Sequence, residues 1–123
     1  MRRARVLLAV AAAALCSAGG AGAGAAPARL EVTALDFHLV LSRLTVKSGP
    51  IAIELVNFGQ DLHDLRLQAV ARGSRPLGLA VVRPGGRAEL DTSLPPGRYR
   101  LWCSLGDHRQ RGMRAVLTVA RAR

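Results

Sequence analysis

Beyond Pro27 the chain is built from short apolar–polar alternations, each cut off by Gly, Pro or Asn before a helical period can establish itself. Leu30, Val32 and Ala34 alternate with Glu31 and Thr33, and Ile51, Ile53 and Leu55 with Ala52 and Glu54. A period of two puts successive side chains on opposite faces, so each run describes a strand with one buried face. Lys47-Ser48-Gly49-Pro50, Asn57-Phe58-Gly59, Gly73 to Pro76, Pro84-Gly85-Gly86 and Pro95-Pro96-Gly97 punctuate the runs as turns or loops. The strands expected are Leu30 to Phe37, His38 to Val46, Ile51 to Leu55, Leu65 to Val70, Ala88 to Leu90, Arg98 to Cys103 and Arg114 to Ala120. Leu77 to Val82 reads as a strand or one helical turn. Asn57 and Gly59 are read as strand-ending residues that tolerate left-handed backbone. About eight strands without a helix or internal repeat predict an all-β sandwich or small barrel. Short turns favour antiparallel pairing, with a parallel pair between first and last strands as the open alternative.

The front end has a different texture. Arg2, Arg3 and Arg5 precede the apolar run Val6 to Cys16, and a Gly/Ala-rich stretch follows. A basic head, a short apolar middle and a small-residue tail describe a secretory signal peptide, here residues 1–26, with cleavage after Ala23 or Ala25. The apolar run is about half the roughly 20 residues that a membrane-spanning helix needs. Lipid attachment at Cys16 is disfavoured by the bulky Leu15. The domain is then residues 27–123, without a membrane span and monomeric, in the periplasm or outside the cell. Its only cysteine is Cys103, and a lone thiol in an oxidising compartment needs a purpose other than an internal disulfide. The formal charge of +10 falls to about +7 without the three leader arginines. That charge favours acidic partners or anionic lipid. Nucleic acid is excluded, because the basic residues are scattered and few aromatics accompany them.

Cys103, His108 and Met113 stand with four residues between each successive pair. Taken singly, each has an ordinary reading: a small buried hydrophobe, a polar loop residue, a core filler. Together, between two strands, they offer a thiolate, an imidazole and a thioether, which suit a soft or borderline metal and copper above all. His63, just after another strand, supplies a second imidazole, and loops at one end of a sandwich lie close enough to unite them. Two His, one Cys and an axial Met are the ligand signature of a blue-copper centre. His38 lies in a strand pattern without a neighbouring donor and is left out.

With these residues the chain resembles the cupredoxins, the plastocyanin and azurin group of small blue copper proteins. The resemblance rests on Leu35-Asp36-Phe37, Asn57-x-Gly59-x-x-x-His63, Pro84-Gly85, and Leu94-x-Pro96-Gly97-x-Tyr99-x-x-x-Cys103 with His108 and Met113. It implies a Greek-key sandwich holding one copper ion on His63, Cys103 and His108, with Met113 axial. It also implies one-electron transfer between redox proteins, with His108 as the electron port. Two positions depart from the family pattern. Asp64 stands where an Asn often ties the ligand loops together, and Gly106-Asp107 precedes His108. Leu62, Trp102 and Leu105 are candidates for the apolar shell, with Trp102, which alternates with Cys103, on the opposite face as the alternative; Arg109, Arg111 and Arg114 either steer an acidic partner patch or form a solvated basic loop. The alternative function is copper binding or delivery without an electron-carrier role. An enzyme is not expected, since four protein ligands leave no open position for substrate.

Overall fold

The computed structural model describes Gly20, Gly22, Gly24 and residues 26–123. The expected signal peptide, with Cys16 and both cleavage positions, lies outside the described residues apart from those three glycines and Ala26. Among the described residues there are nine strands and no helix: β1 (Ala28–Leu35), β2 (His38–Leu41), β3 (Thr45–Lys47), β4 (Gly49–Asn57), β5 (His63–Ala69), β6 (Leu77–Val82), β7 (Arg87–Leu94), β8 (Gly97–Trp102) and β9 (Arg114–Ala120). No helix among them is long and apolar enough to cross a membrane.

The strands form two sheets, one ordered β2-β1-β4-β7 and the other β3-β9-β8-β5-β6. Their inner faces close on one core. Leu30, Val32 and Ala34 of β1 and Ile51, Ile53 and Leu55 of β4 meet Leu65 and Leu67 of β5, Leu101 of β8, and Leu117 and Val119 of β9. These are the alternating apolar positions of the sequence, and their burial is the main favourable term in holding the sheets together. The all-β sandwich expected from the sequence is present.

Four details differ from the sequence reading, and a fifth, the choice left open for Leu77 to Val82, is decided. The run His38 to Val46 is two strands, because the chain crosses from the four-stranded to the five-stranded sheet between Leu41 and Thr45. Two pairs are parallel, β1 with β4 and β3 with β9, rather than a first–last pair. Leu77 to Val82 is a strand, and the strand around Ala88 extends over Arg87–Leu94, pairing with β4 from end to end. Asn57 and Gly59 do not adopt left-handed backbone, since among the described residues every positive-φ residue is a glycine and Gly59 is not one of them. The reason those two residues are there lies in the site.

Candidate metal centre

The five-stranded sheet sets the geometry. β5, β8 and β9 are adjacent and antiparallel, with Arg66 opposite Trp102 and Trp102 opposite Arg114. Hence the start of β5, the end of β8 and the start of β9 share one edge of the sandwich. His63 opens β5, Cys103 follows β8 and Met113 precedes β9. The backbone N–H of Cys103 donates to Met113 O at 3.1 Å and that of Met113 to His108 O at 3.0 Å, closing the loop at its base. His108 N–H donates to Leu105 O, and Arg111 N–H to Asp107 O, so the loop is wound from consecutive turns. Gly106 and Gly112 occupy positive φ, 48° and 123°, which favours glycine there.

His63 Nδ1 lies 4.0 Å and His108 Nδ1 3.6 Å from Cys103 Sγ. All three donor atoms fall within 4.8 Å of one another. Donors sharing one ion at about 2.0 Å for nitrogen and about 2.3 Å for sulfur stand about 3.5–3.8 Å apart, so the cluster fits a single metal ion with small adjustments. His63, Cys103 and Met113 are fully buried, whereas the His108 side chain keeps 14% of its surface exposed. Burial pushes the Cys103 thiol above its ordinary pKa, and the Asp64 carboxylate adds to the rise. A cation beside the sulfur opposes both effects by favouring the thiolate. His38 is exposed on β2, away from the cluster.

Three residues organise the cluster without belonging to it. Asp36, in the turn between β1 and β2, accepts from Gln60 N–H at 2.6 Å and lies 2.7 Å through Oδ1 from His63 Nε2. The Gln60 N–H, and then His63, hold the Asp36 carboxyl below its usual pKa. Being ionised it can only accept, so His63 carries its proton on Nε2 and turns the Nδ1 lone pair toward Cys103. Gly59 makes this approach possible. A Cβ there would run into the Asp36 carboxylate and stand 2.9 Å from His63 Nε2. Asn57, fully buried, donates to Asp61 O at 2.8 Å and Val82 O at 2.9 Å and accepts from Gly59 N–H at 2.8 Å, which pins the segment leading to His63. The sequence pointed to Asp36 only as a match to the family pattern, and to Asn57 and Gly59 as such matches and as strand-ending residues. Their roles depend on contacts between segments, which no local spacing encodes.

Asp64 takes the tying role despite its charge. Its Oδ1 accepts from Ser104 N–H at 2.7 Å and its Oδ2 from the Ser104 hydroxyl, clasping the residue after Cys103 to the residue after His63. Arg66 Nε, 3.3 Å away, balances the buried charge. The aromatic neighbour of the cluster is Phe37. Its ring meets those of His108 and His63 edge-on at centroid distances of 5.0 and 6.5 Å. Of the expected apolar shell, Leu105 packs on the core, Leu62 is 48% exposed and Trp102 turns to the outer face of the sheet beneath Arg109. The three arginines diverge. Arg111 lies 3.5 Å from the centre of the Phe37 ring, while Arg109 and Arg114 line a groove with Arg100 on the outer sheet face. Asp107 is exposed.

No family model and no curated protein matches the chain. Solved structures do. The fold resembles dithionite-reduced auracyanin from the photosynthetic bacterium Roseiflexus castenholzii, with TM-score 0.64 and 20% identity over 78% of this chain and 99% of that one. It also resembles auracyanin A, a "blue" copper protein of the green thermophilic photosynthetic bacterium Chloroflexus aurantiacus, at 0.63 and 12% over 77% and 100%. A reduced Cu(I) form of an amicyanin variant matches at 0.57 and 18% over 79% and 87%. At these identities the likeness establishes the fold, a two-sheet sandwich shared with blue copper proteins.

Proposed function

We propose that His63, Cys103, His108 and Met113 would hold one copper ion and that this protein carries single electrons between redox proteins outside the cytoplasm. The observation that supports this most is the convergence of two imidazole nitrogens and one thiol sulfur within 4.8 Å at a buried end of the sandwich. That donor set is the one associated with blue-copper electron transfer, in which the bound ion supplies a Cu(II)/Cu(I) couple. The chain's own part is to hold the donors still. The Cys103–Met113 backbone bond, the Asp64–Ser104 clasp and the Asp36–His63 bond each fix one donor through a different segment, so a change of charge meets ligands already in place. Phe37 and the buried core keep water away from the sulfur.

His108 is the member of the set that reaches solvent, and its surroundings suit a docking end. Phe58 and Leu62 are exposed apolar residues on the loop leading to His63, and Arg111 adds positive charge over Phe37. An acidic patch on a redox partner would find charge complementarity at Arg111, with an on-rate that falls as salt rises. Full burial of His63, Cys103 and Met113 favours a retained ion over the exchangeable one that a delivery protein needs. Four protein donors leave no position for substrate, which argues against an enzyme.

Adding Cu(II) to the purified protein and recording its visible and electron paramagnetic resonance spectra tests the reading. An intense thiolate-to-copper charge-transfer band that disappears in Cys103→Ser is expected. A colourless protein that retains no copper, or a band unchanged in Cys103→Ser, would sink it.

A further inference from the structure

The outer face of the five-stranded sheet is one-sided in charge. Strand register places Arg66 opposite Trp102 opposite Arg114, then Gln68 opposite Arg100 opposite Val116, then Arg98 opposite Thr118. Because Leu67, Leu101 and Leu117 point into the core, all of these point outward. Arg109 reaches the same face from the loop, its guanidinium 4.7 Å from the Trp102 ring centre. The face therefore carries five arginines around a single tryptophan, and no acidic residue of β3, β9, β8, β5 or β6 is exposed on it. Arg98, Arg100, Arg109 and Arg114 enter none of the ion pairs among the described residues, and Arg66 pairs only with buried Asp64. The opposite sheet is mixed, with Glu31 beside Glu54 beside Glu89 in register and Asp91 exposed, but with Arg29 and Arg87 on the same face and Arg87 paired with Glu54.

We propose that the outer face of the five-stranded sheet, bearing Arg66, Arg98, Arg100, Arg109, Arg114 and Trp102, lays this protein on an anionic lipid surface. The inference does not depend on the copper reading. Strand pairing spreads the arginines over the whole face, beyond the groove that Arg100, Arg109 and Arg114 line, which suits many equivalent phosphate headgroups. Arginine forks pair with phosphate, and a tryptophan with a half-buried ring sits well at headgroup depth. Exposed Val116 adds an apolar contact on the same face. Gly78 on β6 lets the Arg66 side chain lie flat across the sheet, since a Cβ there would run into its guanidinium. The face is the side of the sandwich and the His108 cluster is its end, so a molecule lying on lipid keeps that end free.

The test is co-sedimentation of the full chain with vesicles of phosphatidylglycerol and phosphatidylcholine in equal parts, against phosphatidylcholine alone. Binding is expected only to the anionic vesicles, weakening as salt rises, by about fivefold for each arginine neutralised. The triple variant Arg98→Glu/Arg100→Glu/Arg114→Glu should lose at least about a hundredfold. Arg29→Glu/Arg72→Glu/Arg83→Glu, with the same change of net charge elsewhere and the same leader arginines, should stay within about fivefold of wild type. Trp102 is the only tryptophan of the chain, so lipid brominated on its acyl chains should quench the fluorescence of the bound wild type, a result that needs no variant to fold. Equal losses in the two triple variants, or vesicle binding without quenching, overturn the proposal. So does binding to soluble polyglutamate but not to vesicles, which assigns the face to an acidic protein.

Discussion

The Asp36 carboxylate holds His63 Nε2 at 2.7 Å, and an ionised acceptor on one ring nitrogen makes the other a better donor to a metal cation. Asp36→Asn removes that charge while keeping an acceptor oxygen. We expect about a tenfold loss of Cu(II) affinity relative to Cu(I), which is a rise of about 59 mV in potential; voltammetry of the loaded protein reads it, and an unchanged potential would show that the bond only positions the ring. The same residue sets an acid limb. Its pKa is lowered in the folded state, so its contribution to stability is complete above the ordinary aspartate value near about 3.9 and is lost as pH falls through the folded one. Denaturant midpoints of the metal-free chain should fall across that window, and less steeply in Asp36→Asn. Gly59→Ala has no backbone conformation to violate, but its methyl would occupy the space of the Asp36–His63 bond. It should therefore weaken copper retention against a chelator by about 10–100-fold while the far-ultraviolet β spectrum stays unchanged.

Between elements, the site depends on one clasp. Asp64 at the start of β5 holds Ser104 just beyond β8, so the strand that His63 opens and the strand that Cys103 follows are tied at the donor end as well as by their ladder. Asp64→Ala leaves the Ser104 N–H without its acceptor and Arg66 without its carboxylate. It should cost about 2–3 kcal/mol in urea unfolding of the metal-free chain. Asp64→Asn can still accept from the N–H and donate to the hydroxyl, and should cost less than half as much; equal losses would show that the charge, not the clasp, matters. The elements also mark where local reading runs out. Alternation identified Arg114–Ala120 to the residue and placed most of β4 and β5. It merged β2 with β3 because a crossing between sheets leaves the alternation of apolar residues nearly intact. β7 was cut short because Asp91 and Ser93 face outward on a strand whose inner positions are Ala88, Leu90 and Thr92, a weak apolar signal.

At the scale of the molecule, the donors come from the ends of β5, β8 and β9, which meet only once those strands pair, so an ion bound there stabilises the folded state and not the unfolded one. Copper at about a thousand times its dissociation constant should add about 4 kcal/mol, read as a higher thermal midpoint that a chelator reverses. A midpoint indifferent to copper would place the ion on sites also available in the unfolded chain. Charge is unevenly spread at this scale too: carboxylates line up across β1, β4 and β7 among Arg29 and Arg87, while the outer face of the other sheet carries arginines without an exposed carboxylate on its strands. A net charge of +10 read from the sequence conveys the sum but not that separation.

The sequence by itself determined the class of fold, because a period of two broken by Gly, Pro and Asn permits little but strands, and it proposed four candidate donors, three from the regular spacing of Cys103, His108 and Met113 between two strands and His63 from a separate segment. Only the tertiary structure decided that Asp36 partners His63, that Gly59 is required for close approach rather than for backbone freedom, that Asp64 clasps Ser104, and that Arg109 and Arg114 turn from the His108 end to a sheet face. The division has a physical cause. Periodicity and turn chemistry act between residues near in sequence, whereas these contacts join segments distant in sequence that are brought together by strand pairing or by the packing of the two sheets, and the direction of a side chain is settled by the register of the strand that carries it.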